Sequence, residues 1–129
     1  MKKILLFMLL LASGMAIFNS CQYKFNVIPA AQLPDTTVFI SFSTDILPIW
    51  NSAENCISCH TSGGQPPDLT PQNAYNDLFR LNLVDLQAPS QSLIYTFPQP
   101  ETDTHVWKKY TGTEAALVLL WIKQGAKNN

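Results

Sequence analysis

Apolar residues in this chain fall in short runs that proline and glycine keep breaking, at helical rather than alternating spacing. The first run after the amino-terminal segment is VFISFSTDILPIW. Asp45 is a good N-cap, Pro48 then takes the third helical position, and Ile46, Leu47, Ile49 and Trp50 supply an apolar face. Trp50 is expected in the core. Residues 61–70 are rich in Gly and Pro and predict a loop. Thr70-Pro71 predicts a helix opening by N-cap and N1 proline and running through Ala74, Tyr75, Leu78 and Phe79. Pro89-Ser90 precedes a further short helix in SQSLIYTF, and residues 98–104 form another proline-bounded loop. The last helix has the clearest ends: Thr111-Gly112-Thr113-Glu114 is a capping box, Ala115 to Ile122 is apolar, and Gly125 is placed for a left-handed C-cap. That helix is apolar nearly all round, so it is expected to pack both on protein and on any bound cofactor. The expectation is an all-α domain of short helices and long loops.

The amino terminus has a different pattern. Lys2 and Lys3 precede an almost wholly apolar stretch, Ile4 to Phe18, which is shorter than the roughly 20 residues of a membrane span and fits an export signal. It stops at Phe18-Asn19-Ser20-Cys21. A small residue just before a cysteine resembles the cleavage box of bacterial lipoproteins, although Phe18 and Asn19 depart from its usual Leu and small residue. The resemblance implies that Cys21 becomes the first residue of the mature chain and carries lipid. Plain cleavage nearby and an uncleaved anchor are the alternatives. The expected organisation is a signal peptide over residues 1–20, a tether over 21–37 and one domain over 38–129. A flexible coil of ~15 residues would span on the order of 20 Å.

Removing Lys2 and Lys3 leaves six basic against nine acidic residues in a mature chain of 109 residues, enough for one domain. No basic patch suggests a nucleic-acid partner. The chain has no internal repeat.

The candidate chemistry lies at Cys56-Ile57-Ser58-Cys59-His60, a C-x-x-C-H motif. On a helical turn, residues three apart share a face, so Cys56 and Cys59 can reach the two vinyl groups of one porphyrin and form thioethers. His60 follows directly and is carried under the iron as proximal ligand. The motif thus specifies one covalently bound haem c. Two other readings stand beside it. A structural zinc wants four thiolate or imidazole ligands, and beyond the motif the chain offers only Cys21 and His105. A C-x-x-C disulfide usually sits among alternating strands and helices, which the pattern here does not suggest. A haem attached outside the cytoplasmic membrane agrees with an export signal.

Iron held by one histidine needs a second ligand or keeps an open face. All three methionines (1, 8 and 15) lie in the export segment, and one of the two histidines is used by the motif. His105 is therefore the candidate distal ligand, with an open or water-bound face, or a Lys, Asn or Tyr ligand, as alternatives. Polar neighbours Asp103 and Thr104 favour an exposed His105; Val106 and Trp107 suggest that the loop turns inward.

Several segments, in order, resemble a family of small bacterial lipoprotein cytochromes c related to planctomycete-type cytochrome c domains. They are Asp45-Ile46-x-Pro48-Ile49, CISCH, Ser92-Leu93-Ile94-Tyr95 and Trp121-Ile122-x-Gln124-Gly125-Ala126, and the likeness covers most of residues 40–128. The resemblance implies a class I cytochrome c-like fold around one haem. Pro67-x-Leu69 looks like the segment after the haem motif in class I cytochromes c. The likeness implies that Pro67 and Leu69 line the haem pocket and that the Pro67 carbonyl accepts a hydrogen bond from His60. Family members often carry a Met-Pro distal motif before the final helix; here His105 stands in roughly that place. Bis-histidine ligation implies a lower potential than a His/Met site.

The expected function is electron transfer by a non-enzymatic, lipid-anchored carrier facing the periplasm or the cell surface, with redox proteins and a membrane as partners. The competing expectations are a gas-sensing or peroxide-reactive haem with an open distal position, and a relay subunit of a larger respiratory complex.

Overall fold

The computed structural model describes residues 3, 33–52, 56–105 and 107–129. The expected signal peptide, Cys21 and most of the tether lie outside these residues. Among the described residues the chain is all-α, with no strand, and no helix is long and apolar enough to cross a membrane.

The first helical stretch opens with a π-helical turn, Phe42–Ile46, and runs directly into α1 (Leu47–Asn51). Ser41, not Asp45, is the N-cap. Its hydroxyl accepts from Thr44 N–H at 3.4 Å, while the Asp45 carboxylate reaches back to Ser41 N–H at 2.7 Å. This is a capping box with one extra residue, because the wider first turn separates cap and acid by four positions. Asp45 therefore sits inside the helix it was expected to start. The extended first turn buries Phe42 and Ile46 on the same side as Ile49 and Trp50.

A single 3₁₀ turn, Cys56–Ser58, carries the first cysteine of the motif. Helix α2 (Ala74–Arg80) starts three residues later than the Thr70-Pro71 signal predicts, because Pro71 to Asn73 form a turn closed by Asn73 N–H on the Thr70 carbonyl at 3.0 Å. The Thr70 hydroxyl does not cap the helix; it donates to Asp68 at 2.6 Å. At its far end Asn82, with φ +54°, terminates α2. Its N–H bonds Phe79 O at 3.1 Å and Leu83 N–H bonds Leu78 O at 2.8 Å, the paired bonds of a Schellman cap. A 3₁₀ turn, Pro89–Gln91, leads into α3 (Leu93–Thr96).

Helix α4 (Gly112–Lys123) has both ends where its sequence places them. Thr111 N–H donates to Glu114 Oε2 at 2.7 Å and Glu114 N–H to Thr111 Oγ1 at 3.2 Å. Gly125, at φ +94°, bonds Ile122 O, and Ala126 N–H bonds Trp121 O, a second Schellman cap with Trp121 and Ala126 both buried.

The core joins α4 to the first helical stretch through aromatic rings. Trp121 lies 5.3 Å from Phe42, and Phe42 lies 6.0 Å from Trp50, centroid to centroid. Beyond α4, the Gln124 side-chain amide accepts from Ile40 N–H at 2.8 Å and donates to Val38 O at 2.8 Å. It thereby grips the chain on both sides of Phe39, which stays exposed while Ile40 is buried.

Candidate functional site: an apolar slot between two histidines

The Cys56–Ser58 turn sets out the motif, with Cys59 N–H and His60 N–H both on the Cys56 carbonyl at 3.1 and 2.9 Å. The chain then makes a closed loop. Gln65 N–H bonds Cys59 O at 2.9 Å, and Leu69 N–H bonds His60 O at 2.8 Å. Gly64 is required here: a Cβ at that position would lie 2.5 Å from Cys59 O. Asn51, at the end of α1, donates to the Leu69 carbonyl at 3.0 Å and ties the loop to the helix before the motif. Leu69 is buried and Pro67 partly so.

This loop brings the Pro67 carbonyl to 3.1 Å from His60 Nδ1. A carbonyl only accepts, so Nδ1 carries the proton and Nε2 keeps its lone pair for a metal. The bond is the one that the likeness at Pro67-x-Leu69 implies.

His105 arrives from the other side. Its ring centroid is 6.0 Å from that of His60, with the planes 24° apart. Direct stacking would bring the rings much closer. A metal atom bound by one ring nitrogen of each of two imidazoles separates their centroids by about 6 Å, from two bonds of about 2 Å and two ring radii of about 1 Å. His105 Nδ1 is buried and has no hydrogen-bond partner among the described residues. Leaving a buried ring nitrogen unsatisfied costs about 1–3 kcal/mol and calls for an explanation. The ring is turned inward although Trp107, which suggested that inward turn, is 76 % exposed; Val106 lies outside the described residues.

Between and below the histidines is an apolar cavity of about 310 Å³, floored by Trp50, Leu69, Ile94 and Tyr110 and walled by Pro67, Leu83, Leu93 and Phe97. A second space of about 350 Å³ adjoins it and shares Cys56, His60, Pro66, Phe97, His105 and Lys108, adding Cys59 and Trp107 at the outside. Together they form a slot from core to surface, with both cysteines toward its mouth. The floor has no dangling polar atom at its two aromatic heteroatoms: Trp50 Nε1–H donates to Tyr110 Oη, and Tyr110 O–H donates to Ile94 O, both at 3.0 Å. Burial pushes the Tyr110 phenol well above its usual range, so it is neutral.

No residue of α4 lines the slot, against the expectation that this helix packs on the cofactor. At the level of Trp121 the difference follows from Phe42 and Trp50, whose rings lie in sequence between Trp121 and the cavity.

Cys56 and Cys59 are free thiols; Cys56 is partly buried and Cys59 exposed. Burial pushes the Cys56 thiol up, against its own backbone hydrogen bond and the nearby Lys108. A raised thiol is a poor nucleophile and a poor thiolate ligand to a bare ion. Among the described residues no three His, Cys, Asp or Glu side chains group to hold a metal ion. A pair of imidazoles suffices where a macrocycle supplies the other ligands. The residues present fit a haem c; the zinc reading would draw on Cys21, which lies outside the described residues.

Phe97, Leu83, Leu93, Ile94, Lys108 and the Trp50–Tyr110 pair are the lining residues that motif reasoning did not single out as site residues. Ser92-Leu93-Ile94-Tyr95 carried a signal as a family-like segment; Lys108 and Tyr110 carried none. No protein-family model, no curated protein and no solved structure matches the chain.

Proposed function

We propose that this chain is an exported mono-haem c-type cytochrome, anchored by lipid on Cys21, that carries electrons between redox proteins. The observation that carries the proposal is the pair of near-parallel imidazoles 6.0 Å apart across an apolar slot whose mouth holds Cys56 and Cys59. Cys56 and Cys59 would hold the porphyrin through thioethers. His60, oriented by Pro67, would be the proximal ligand, and His105 the distal one. Bound there, haem supplies one-electron chemistry. The apolar walls would shield the bound group from water on the core side of the slot. Phe97 and Trp107 remain exposed around the mouth and form the rim a redox partner meets.

The absorption spectrum of the protein, produced with a haem c maturation system, tests this. Covalent haem with a six-coordinate, low-spin spectrum lacking a methionine-to-iron band is expected. A high-spin spectrum would remove His105 as ligand, and absence of covalent haem would remove the proposal as a whole.

A second reading is a haem that binds a small ligand after His105 leaves. The unpartnered His105 Nδ1 favours it. Rapid carbon monoxide binding by the ferrous protein supports this reading, and refusal supports electron transfer.

A further inference from the structure

The Pro67–Asp68 peptide group is held at both of its polar ends. Its carbonyl faces His60 Nδ1 at 3.1 Å, and its N–H donates to the Asp77 carboxylate, Oδ2, at 2.8 Å. The group is planar, so fixing the N–H also aims the carbonyl. An N–H that donates to a carboxylate is polarised, and that polarisation strengthens the carbonyl at its other end as an acceptor. Asp77 stands on α2, and its other oxygen, Oδ1, is held by Arg80 Nε at 2.9 Å and Nη2 at 2.7 Å.

We propose that Asp77 is a positioning residue for the proximal histidine, acting on His60 through the Pro67–Asp68 peptide as a carboxylate–peptide–imidazole relay. It rests on the haem reading above. The Asp68 side chain keeps the relay in register: its Oδ2 accepts from Ser62 Oγ at 2.5 Å and Asn73 Nδ2 at 2.7 Å, and its Oδ1 from Thr70 N–H at 2.9 Å and Oγ1 at 2.6 Å. Both carboxyls are held below their usual range, Asp68 by Ser62 and Thr70, Asp77 by the Asp68 N–H and Arg80, so the relay is charged at neutral pH. A carboxylate bound directly to a ligating histidine raises its basicity. Here one peptide group stands between them, and the charge is supplied from α2 rather than from the slot. A more basic His60 favours ferric iron, so the relay holds the potential low.

The test reads the His60 Nδ1–H resonance of the ferrous holoprotein by nitrogen-edited NMR, together with the midpoint potential. Asp77→Asn keeps the shape and removes the charge. It is expected to move the His60 proton upfield, as for a weaker hydrogen bond, and to raise the midpoint potential, favouring ferrous iron. Arg80→Ala leaves the carboxylate without its counter-charge and is expected to move the same proton downfield. Opposite movements identify the relay, since simple loosening of the loop would weaken the bond in both variants. Asp35→Asn, in the exposed segment before the domain, sets the spread that removal of an unrelated charge produces. A His60 proton within that spread in both Asp77→Asn and Arg80→Ala overturns the proposal even if the potential moves, because a through-space charge accounts for that alone. Movement in one direction in both variants also overturns it. A parent protein without covalent haem overturns the haem reading instead.

Discussion

His60 sits on a loop bonded to itself and to two helices, whereas His105 sits on a longer loop that closes only at its base, through Tyr110 N–H on Pro98 O at 2.9 Å, and whose bonds nearest the histidine are local and mostly exposed. On the His60 side, the loop closes through Leu69 N–H on the His60 carbonyl, α1 grips it through Asn51, and α2 grips it through Asp77. The ring nitrogen that does not face the metal position is satisfied. On the His105 side, Thr102 Oγ1 and Thr104 Oγ1 donate to the Phe97 carbonyl, and Lys109 pairs with Asp103 at 3.3 Å. Asp103 is fully exposed, so that pair contributes little. One histidine is held through its ring nitrogen by a loop bonded to two helices; the other is held by ring contact with Phe97 and by the closure of its loop. The two sides should therefore fail differently.

The largest contrast is expected from the histidines themselves. His60→Ala removes the proposed ligand, whose ring the fold already orients, and low-spin haem should be lost. His105→Ala should retain covalent haem and become high-spin, with fast carbon monoxide binding; equal spectra from both variants would erase the asymmetry. Next in size come the apolar supports. Leu69→Ala, at a buried position on the His60 side, should cost about 2–5 kcal/mol in urea unfolding. Phe97→Ala, at a half-exposed position on the His105 side, should cost no more than about 1–2 kcal/mol in the same assay. Acid should then act on the His60 side first. Asp68 and Asp77 have depressed folded values, so the stability they confer is present above the unfolded carboxylate pKa of about 3.9. It is lost as pH falls below that value toward the folded ones. The Asp68→Asn variant should show a flatter loss of urea midpoint between about pH 4 and 2 than the parent. Smallest of all, Asp103→Ala should change stability by less than about 1 kcal/mol, since it breaks only an exposed pair. A larger loss would show the His105 loop to be firmer than its hydrogen bonds imply.

The same asymmetry governs what could be read from the sequence. The ends of α4 were legible because capping box and left-handed glycine are local signals, each complete within a few residues. So was the His60–Pro67 bond, through a family-like spacing. The start of the first helix was not, because the π turn moves the cap from Asp45 to Ser41, and Asp residues bond backbone N–H groups from either position. The Asn82 cap was passed over for a related reason: the left-handed conformation is more often taken by glycine. His105 could be nominated by counting ligands, but its approach to His60 is a contact across 45 positions. Trp107 pointed to the inward turn of His105 while itself staying 76 % exposed, since an aromatic can mark a slot's rim as readily as its interior. The Asp77 relay was illegible, because it joins a helix to a loop through a peptide group that no side-chain motif records.

Gln124 holds Val38 and Ile40 with one side chain, at the end of the molecule where α4 terminates. Tension arriving along the segment before Val38 would pass the local bonds at Asp35 and then meet the Val38 and Ile40 bonds to Gln124. The load would pass into the Schellman-capped end of α4, a helix that lines no part of the slot. Were the preceding segment the proposed tether, a pull on it would enter the fold at the end of α4, away from the two imidazoles.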